Sequence, residues 1–188
     1  MTLILRLLAQ MPIDSVPLIG ALAVANSIHD CLQVEARVRW PNDVVVEGSK
    51  VAGLIAEGRQ QGDSLEYVLL GVGINANFES SSLRDVSVSV TTLMDLNGGP
   101  VDVPKLLCNV LLQLEELLLL AESDRSKVLE LLRRRDLSIG RSVRVVTDDR
   151  LIVGVFAGYE SLDAIVVESR GERVIVPTPS AILVEYFD

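Results

Sequence analysis

An α+β fold is what the sequence predicts: a mixed, largely antiparallel sheet packed with helices, followed by a smaller all-β unit. Three observations carry this expectation. Between residues 36 and 77, β-rich segments follow one another with only short polar turns between them, which is the pattern of neighbouring antiparallel strands. Helical patterns rich in alanine and leucine precede and follow that block. After Leu137 the apolar spacing changes from a period near four to a period of two, so a domain boundary is placed there, dividing the chain into residues 1–137 and 138–188.

Element by element, "TLILRLL" reads as a mostly buried first strand. "DSVPLIGALAVANSIHDCL" reads as a helix with Asp14 or Ser15 near its cap, and Gly20, Ala21 and Ala25 would let it sit close on a sheet. His29, late in that helix, reads as a surface or dipole-facing group rather than a catalyst. "ARVRW", "VVVEGSKVAGLIAEG" and "LEYVLLGVGINAN" supply the strands, with turns at residues 47–49 and 60–63. "VSVTTLMDLNGG" is a short helix closed by glycine, and "VDVPKLLCNVLLQLEELLLLAES" a long one with Asp102 as cap and Pro104 in its first turn. Its leucines do not keep a heptad, so core packing is expected for them. "DRSKVLELLRRRDL" is a further helix whose arginines, residues 133–135, suit a helix C-terminus. The remainder, with turns near residues 147–149, 158–163 and 170–172, reads as a small β-barrel.

Composition narrows the function classes. Hydrophobic residues make up 49% and charged residues 23% of 188, the balance of a chain that folds. A net charge of -9 opposes polyanions, so nucleic acid is not an expected partner. No uninterrupted apolar run reaches the ~18 residues of a membrane span, so no membrane partner is expected either. Two distant cysteines and one histidine suggest neither a disulfide framework nor a zinc site, which makes the cytoplasm the default location.

Chemistry concentrates in "VRWPNDVVVEGSKVAGLIAE", residues 38–57. Pro41, Asn42 and Asp43 suit a tight turn. A turn does not explain Arg39 before it, Lys50 after it, or Gly53, where a missing side chain lets a ligand approach the backbone. Two cations, a carboxylate and a gap describe an anion site. "GVGINAN" adds Gly71 and Gly73 at a strand end and the amides of Asn75 and Asn77. It is neither a dinucleotide-binding fingerprint nor a P-loop.

"RWPNDVVVEGSKVAGLIAE" followed by "GVGINAN" resembles the central signature of the biotin protein ligases: [KR]WPND, then K(L/V)xGI(L), then GxGxNxN. That family's catalytic domain continues through helices into a small SH3-like C-terminal domain, so the resemblance runs over nearly the whole chain. It implies an ATP-dependent ligase that makes biotinyl-AMP from biotin and ATP, then transfers biotin to a lysine of a biotin carboxyl carrier protein. By position, Lys50 matches the lysine that contacts the biotin carboxylate and the acyl-phosphate. Arg39 matches a basic position on the phosphate side, where arginine keeps the charge and adds a planar fork. Asp43 matches the acid near magnesium and the acceptor lysine, and Asn75 an amide at the nucleotide end. Trp40, Asn42, Gly53, Leu54, Gly71 and Gly73 belong to the same motifs and are expected to line the substrate site.

Two departures set further expectations. The family's GRGRxG loop, and its optional N-terminal helix-turn-helix, do not occur in the 188 residues. Without the loop to cover the adenylate from water, the chain alone is expected to show little biotin-dependent exchange of pyrophosphate into ATP. Apolar sheet surface left uncovered would favour a homodimer or a partner supplying the segment. A non-catalytic binding or partner subunit and a lipoate protein ligase are the alternative readings.

Overall fold

The computed structural model of the protein describes residues 1–6, 11–61, 64–82 and 89–187. The first sheet is built from β1 (Thr2–Leu5), β2 (Arg37–Arg39), β3 (Asp43–Val46), β4 (Ser49–Gln61) and β5 (Ser64–Ile74) in the order β1-β5-β4-β3-β2, every named pairing antiparallel. The β3–β4 hairpin turns at Glu47 and Gly48, both with positive φ (50° and 81°), as a two-residue turn between right-twisted strands requires. The predicted turn at residues 60–63 lies partly outside the described residues.

Across one face of this sheet runs α1 (Ser15–Leu32). Gly20 explains how close it comes: a Cβ there would sit 2.6 Å from Leu54 Cδ2, and Ala21 and Ala25 are fully buried beside it. Asp14 precedes the helix without capping it by its side chain, while the Ser15 hydroxyl donates instead to the Pro12 carbonyl at 2.6 Å. By length and composition α1 could cross a membrane, although no single apolar run in it is unbroken; most of it is buried within this fold as a core helix.

Among the described residues three α-helices follow. α2 (Leu93–Asn97) is capped by Thr92, whose hydroxyl accepts from the Asp95 amide at 3.1 Å, and ends at Gly98 in the left-handed region, φ 70°. α3 (Val103–Ser123) starts at Asp102, whose carboxylate accepts from the Lys105 amide at 3.0 Å. α4 (Arg125–Arg135) starts at Asp124. Its terminal arginines reach beyond the helix: Arg133 donates to the Tyr159 carbonyl at 3.0 Å and Arg135 to the Ala36 carbonyl at 3.3 Å.

The second sheet holds β6 (Ser142–Thr147), β7 (Leu151–Ser161), β8 (Ala164–Ser169), β9 (Glu172–Pro177) and β10 (Ala181–Phe187) in the order β10-β6-β7-β8-β9, again antiparallel. Among the described residues β9 and β10 do not pair, so this is an open five-stranded sheet where a small barrel was expected.

Two further expectations need correction. β1 is not mostly buried: it lies at the sheet edge with β5 on one side, and alternate residues point outward, leaving Ile4 69% exposed. In α3, Leu106, Val110, Leu114 and Leu117 enter the core, whereas Leu107, Leu111, Leu112 and Leu119 are exposed. Leu111, Leu112 and Leu119 form, with β1, a shallow and largely apolar groove of about 440 Å³.

Candidate functional site

The face of the first sheet turned away from α1 carries the site. Pairing aligns Arg39 with Asp43, Asp43 with Gly53, and Gly53 with Gly73, giving one row of residues across β2, β3, β4 and β5. Half of that row has charged side chains and half has none, so the strands themselves make a bare floor beside a charged wall. A cavity of about 440 Å³ opens over the floor, lined by Met1, Asn42, Lys50, Gly53, Leu54, Ile55, Gly71, Val72 and Gly73.

Lys50 reaches this face because of a register shift. Strict alternation would put residues 50 and 53 on opposite faces of β4, since they are an odd number of residues apart. Between Val44 and Val45, however, the β3 pairing jumps from Ala52 to Lys50, an extra residue on β4 that re-aims the side chain. The Lys50 Nζ then lies 2.9 Å from where a Gly53 Cβ would be, so any side chain at 53 would push the flexible end of the lysine aside.

Asp43 stands between the two cations. Its Oδ1 is 2.5 Å from Lys50 Nζ and its Oδ2 2.8 Å from Arg39 Nη2, with all three side chains about one-sixth to one-third exposed. The Arg39 contact is a directed hydrogen bond, whereas the Lys50 contact is a charge contact in which Oδ1 has no well-aligned donor. The triplet carries one net positive charge at the cavity edge, suited to an anion, and Lys50 is the member that lines the cavity.

Of the residues read from the sequence, Asn42, Lys50, Gly53, Leu54, Gly71 and Gly73 are brought together here. Arg39 and Asp43 adjoin through the ion triplet. Asn42 fastens the turn to the cavity wall: its Nδ2 donates to the Leu54 carbonyl at 2.7 Å, and the Leu54 amide donates to the Asn42 carbonyl at 3.0 Å. Asn75 is not in the lining; its Nδ2 donates to the Thr91 carbonyl at 3.1 Å and its own carbonyl accepts from the Leu93 amide at the start of α2. Asn77 likewise spends both ends of its amide on the Val101 backbone.

Trp40 is the clearest displacement from expectation. Only 1% exposed, it packs against Phe156 of the second sheet with ring centroids 6.0 Å apart, and lies in the junction between the sheets rather than in the cavity. Its backbone is held there at both ends. The Trp40 amide donates to Ser138 Oγ at 3.1 Å, and the Tyr186 hydroxyl donates to the Trp40 carbonyl at 2.8 Å; the Trp40–Pro41 peptide is cis. Behind them Asp136 accepts from the Tyr159 hydroxyl and, at 2.5 Å, from the Ser138 amide. Burial pushes the Asp136 carboxyl above its ordinary range, against the opposing pull of these hydrogen bonds, and burial likewise raises the Tyr159 and Tyr186 phenols.

Sequence reasoning missed Met1, Ile55 and Val72 in the lining, and the group of Asp136, Ser138, Tyr159 and Tyr186. For Ile55 a signal existed: it shares the Gly53 face of β4 by the period of two and is 62% exposed. For the junction group none did, because the residues are scattered over 50 positions.

As a metal centre the site fits poorly. Asp43 already faces a cation with each oxygen, and no group of three histidine, cysteine or acidic side chains gathers among the described residues. Asp43 as a magnesium ligand is therefore not supported, and no step is routed through a metal.

Residues 5–75, the stretch that holds α1 and β2 to β5, match the Biotin/lipoate A/B protein ligase family. By sequence the chain is 30% identical over 120 residues to the bifunctional ligase/repressor BirA of Bacillus spizizenii, covering 62% of this chain and 36% of that protein. It is 29% identical over 163 residues to the biotin–[acetyl-CoA-carboxylase] ligase of Mycobacterium tuberculosis, covering 85% and 58%. The apo biotin protein ligase of Aquifex aeolicus has the same fold, with a TM-score of 0.80 over 99% of this chain and 81% of that one at 19% identity. In sequence and in fold the chain is thus similar to biotin protein ligases. It spans between about a third and three-fifths of the length of the two curated relatives named here.

Proposed function

We propose that this chain carries the adenylate-forming site of a biotin protein ligase: biotin and ATP give biotinyl-AMP and pyrophosphate, and biotin then passes to a lysine of a biotin carboxyl carrier protein. The observation that carries the reading is Lys50, turned by the β4 bulge over the Gly53–Gly73 floor at the edge of a cavity. Attack of a carboxylate on an α-phosphate brings two anions together. A fixed ammonium at their meeting point offsets the repulsion and the charge that develops in the transition state. In this reading Asp43 holds Lys50 in place, Arg39 supplies a second positive charge toward the phosphates, and the glycines let the substrates lie on the backbone. Asn75 serves the nucleotide end through the loop it ties down.

The same reading treats residues 138–188 as a small SH3-like C-terminal domain and the cytoplasm as the place of action. A biotin protein ligase of Aquifex aeolicus with the same fold is known in complex with biotin and ATP, which supports this choice of substrates. Magnesium is expected only as part of the nucleotide.

Calorimetric titration of the 188-residue chain with biotin in the presence of ATP tests the reading. Binding is expected, and Lys50→Ala should weaken it by about 2 to 4 kcal/mol, the range for removing one partner of a desolvated charge pair. Wild-type affinity in the variant would overturn the role of Lys50, and preference for lipoate would move the assignment to lipoate ligation. A non-catalytic partner subunit is favoured by one observation, the exposed groove between β1 and α3. Absence of binding together with concentration-dependent self-association in sedimentation would support that second reading.

A further inference from the structure

The strongest observation outside the cavity is the grip on Trp40. A backbone amide and carbonyl of one residue are both satisfied by side chains from beyond residue 137, Ser138 Oγ and Tyr186 Oη. Each gripping side chain is itself fixed. Ser138 is fully buried and donates its own amide to Asp136. Tyr186 is enclosed enough that burial raises its phenol, with the neighbouring Ser138 hydroxyl acting in the opposite direction. Leu137 adds an amide hydrogen bond to the Val38 carbonyl at 2.8 Å, two residues before Trp40.

Two residues after Trp40 comes Asn42, which exchanges two hydrogen bonds with Leu54 of the cavity wall. From the second sheet to the cavity the path is therefore Tyr186 and Ser138, then the Trp40 backbone, then the turn, then Leu54. A β-turn has few ways to satisfy its own backbone, so holding the amide and carbonyl at one end limits where the other end can go. We propose that Tyr186 and Ser138 are positioning residues for the substrate cavity, acting through the Trp40 backbone to set the place of Asn42 and hence of the wall at Leu54. This rests on the reading of the cavity as a substrate site only for its consequence on binding; the mechanical coupling stands apart from it.

The experiment measures both. Tyr186→Phe keeps the ring and removes the hydroxyl, and Ser138→Ala removes the other contact should the first variant fail to fold. Amide hydrogen exchange at Leu54 should quicken by about tenfold in either, the loss expected for one hydrogen bond, and affinity for ATP should fall by a similar factor. Val145→Ala, a cavity-forming change at a buried position of β6 whose strand neighbours are Val184 and Ile152 rather than the partners of Trp40, serves as control: it should lower thermal stability while leaving Leu54 exchange and ATP affinity as in the wild type. Unchanged exchange at Leu54 in the folded variants overturns the proposal, and so does equal quickening in Val145→Ala, which would mean general loosening. If the wild-type chain binds no ATP, the functional reading fails while the exchange measurements still decide the coupling.

Discussion

Glycines inside strands do opposite things in the two sheets. In the first, a Cβ on Gly73 would meet nothing closer than the Gly53 carbonyl at 3.7 Å, and one on Gly53 would meet only the flexible end of Lys50 and an Asp43 oxygen. In the second, a Cβ on Gly154 would lie 2.2 Å from the Glu168 carbonyl oxygen and 2.9 Å from its carbon. The first kind leaves a face empty for something else to occupy, and the second lets the backbones of β7 and β8 close on each other. Strand glycine thus marks open space over one sheet and close packing in the other, and the neighbouring atoms tell which.

Substitution by alanine is the way to break this comparison. Gly154→Ala should have the largest effect, because backbone rather than side chain must move; a loss of about 3 kcal/mol is expected in urea unfolding. An unchanged midpoint would mean that β7 and β8 are not as tightly apposed as the distances say. Gly20→Ala is expected to cost about 1 to 2 kcal/mol, since the Leu54 methyl it meets at 2.6 Å can turn away in part. Gly73→Ala should leave stability unchanged or raise it by about 0.4 to 1 kcal/mol through the unfolded chain, while the added methyl on the cavity floor lowers affinity for biotin with ATP. Affinity equal to that of the wild type would remove Gly73 from the site.

The smallest effect is expected at the junction, where the Asp136 carboxyl is buried. Asp136 has its folded-state value raised above the ordinary 3.8, by burial first. Its contribution to stability is then fully present below the ordinary carboxylate range and is lost as pH rises through the folded value. Asp136→Asn should abolish this dependence, so the stability of the wild type should fall relative to the variant as pH is raised from 3.8 toward neutrality. Parallel pH profiles in thermal unfolding would show that Asp136 does not titrate as its burial implies.

Much of the order of elements was determined by the sequence, because the signals are local. Asp102 three residues before the Lys105 amide, Thr92 and Gly98 bracketing five residues, and Glu47-Gly48 between two β-rich runs each act within a few residues of chain. The glycines and the lysine of the site were legible for the same reason, as a motif in a short span. Which face those residues occupy, and what surrounds them, is set instead by contacts between distant segments. By the period of two alone, Lys50 belongs with Ala52 and Leu54 on the face covered by α1, and the register shift opposite Val44 and Val45 carries it to the other. Trp40 reads as a site residue until Phe156, Ser138 and Tyr186 arrive from 98 to 146 positions away to enclose it. β1 reads as buried until the sheet order leaves it at an edge. In each case the deciding contacts lie between segments distant along the chain, and no spacing within one segment encodes them.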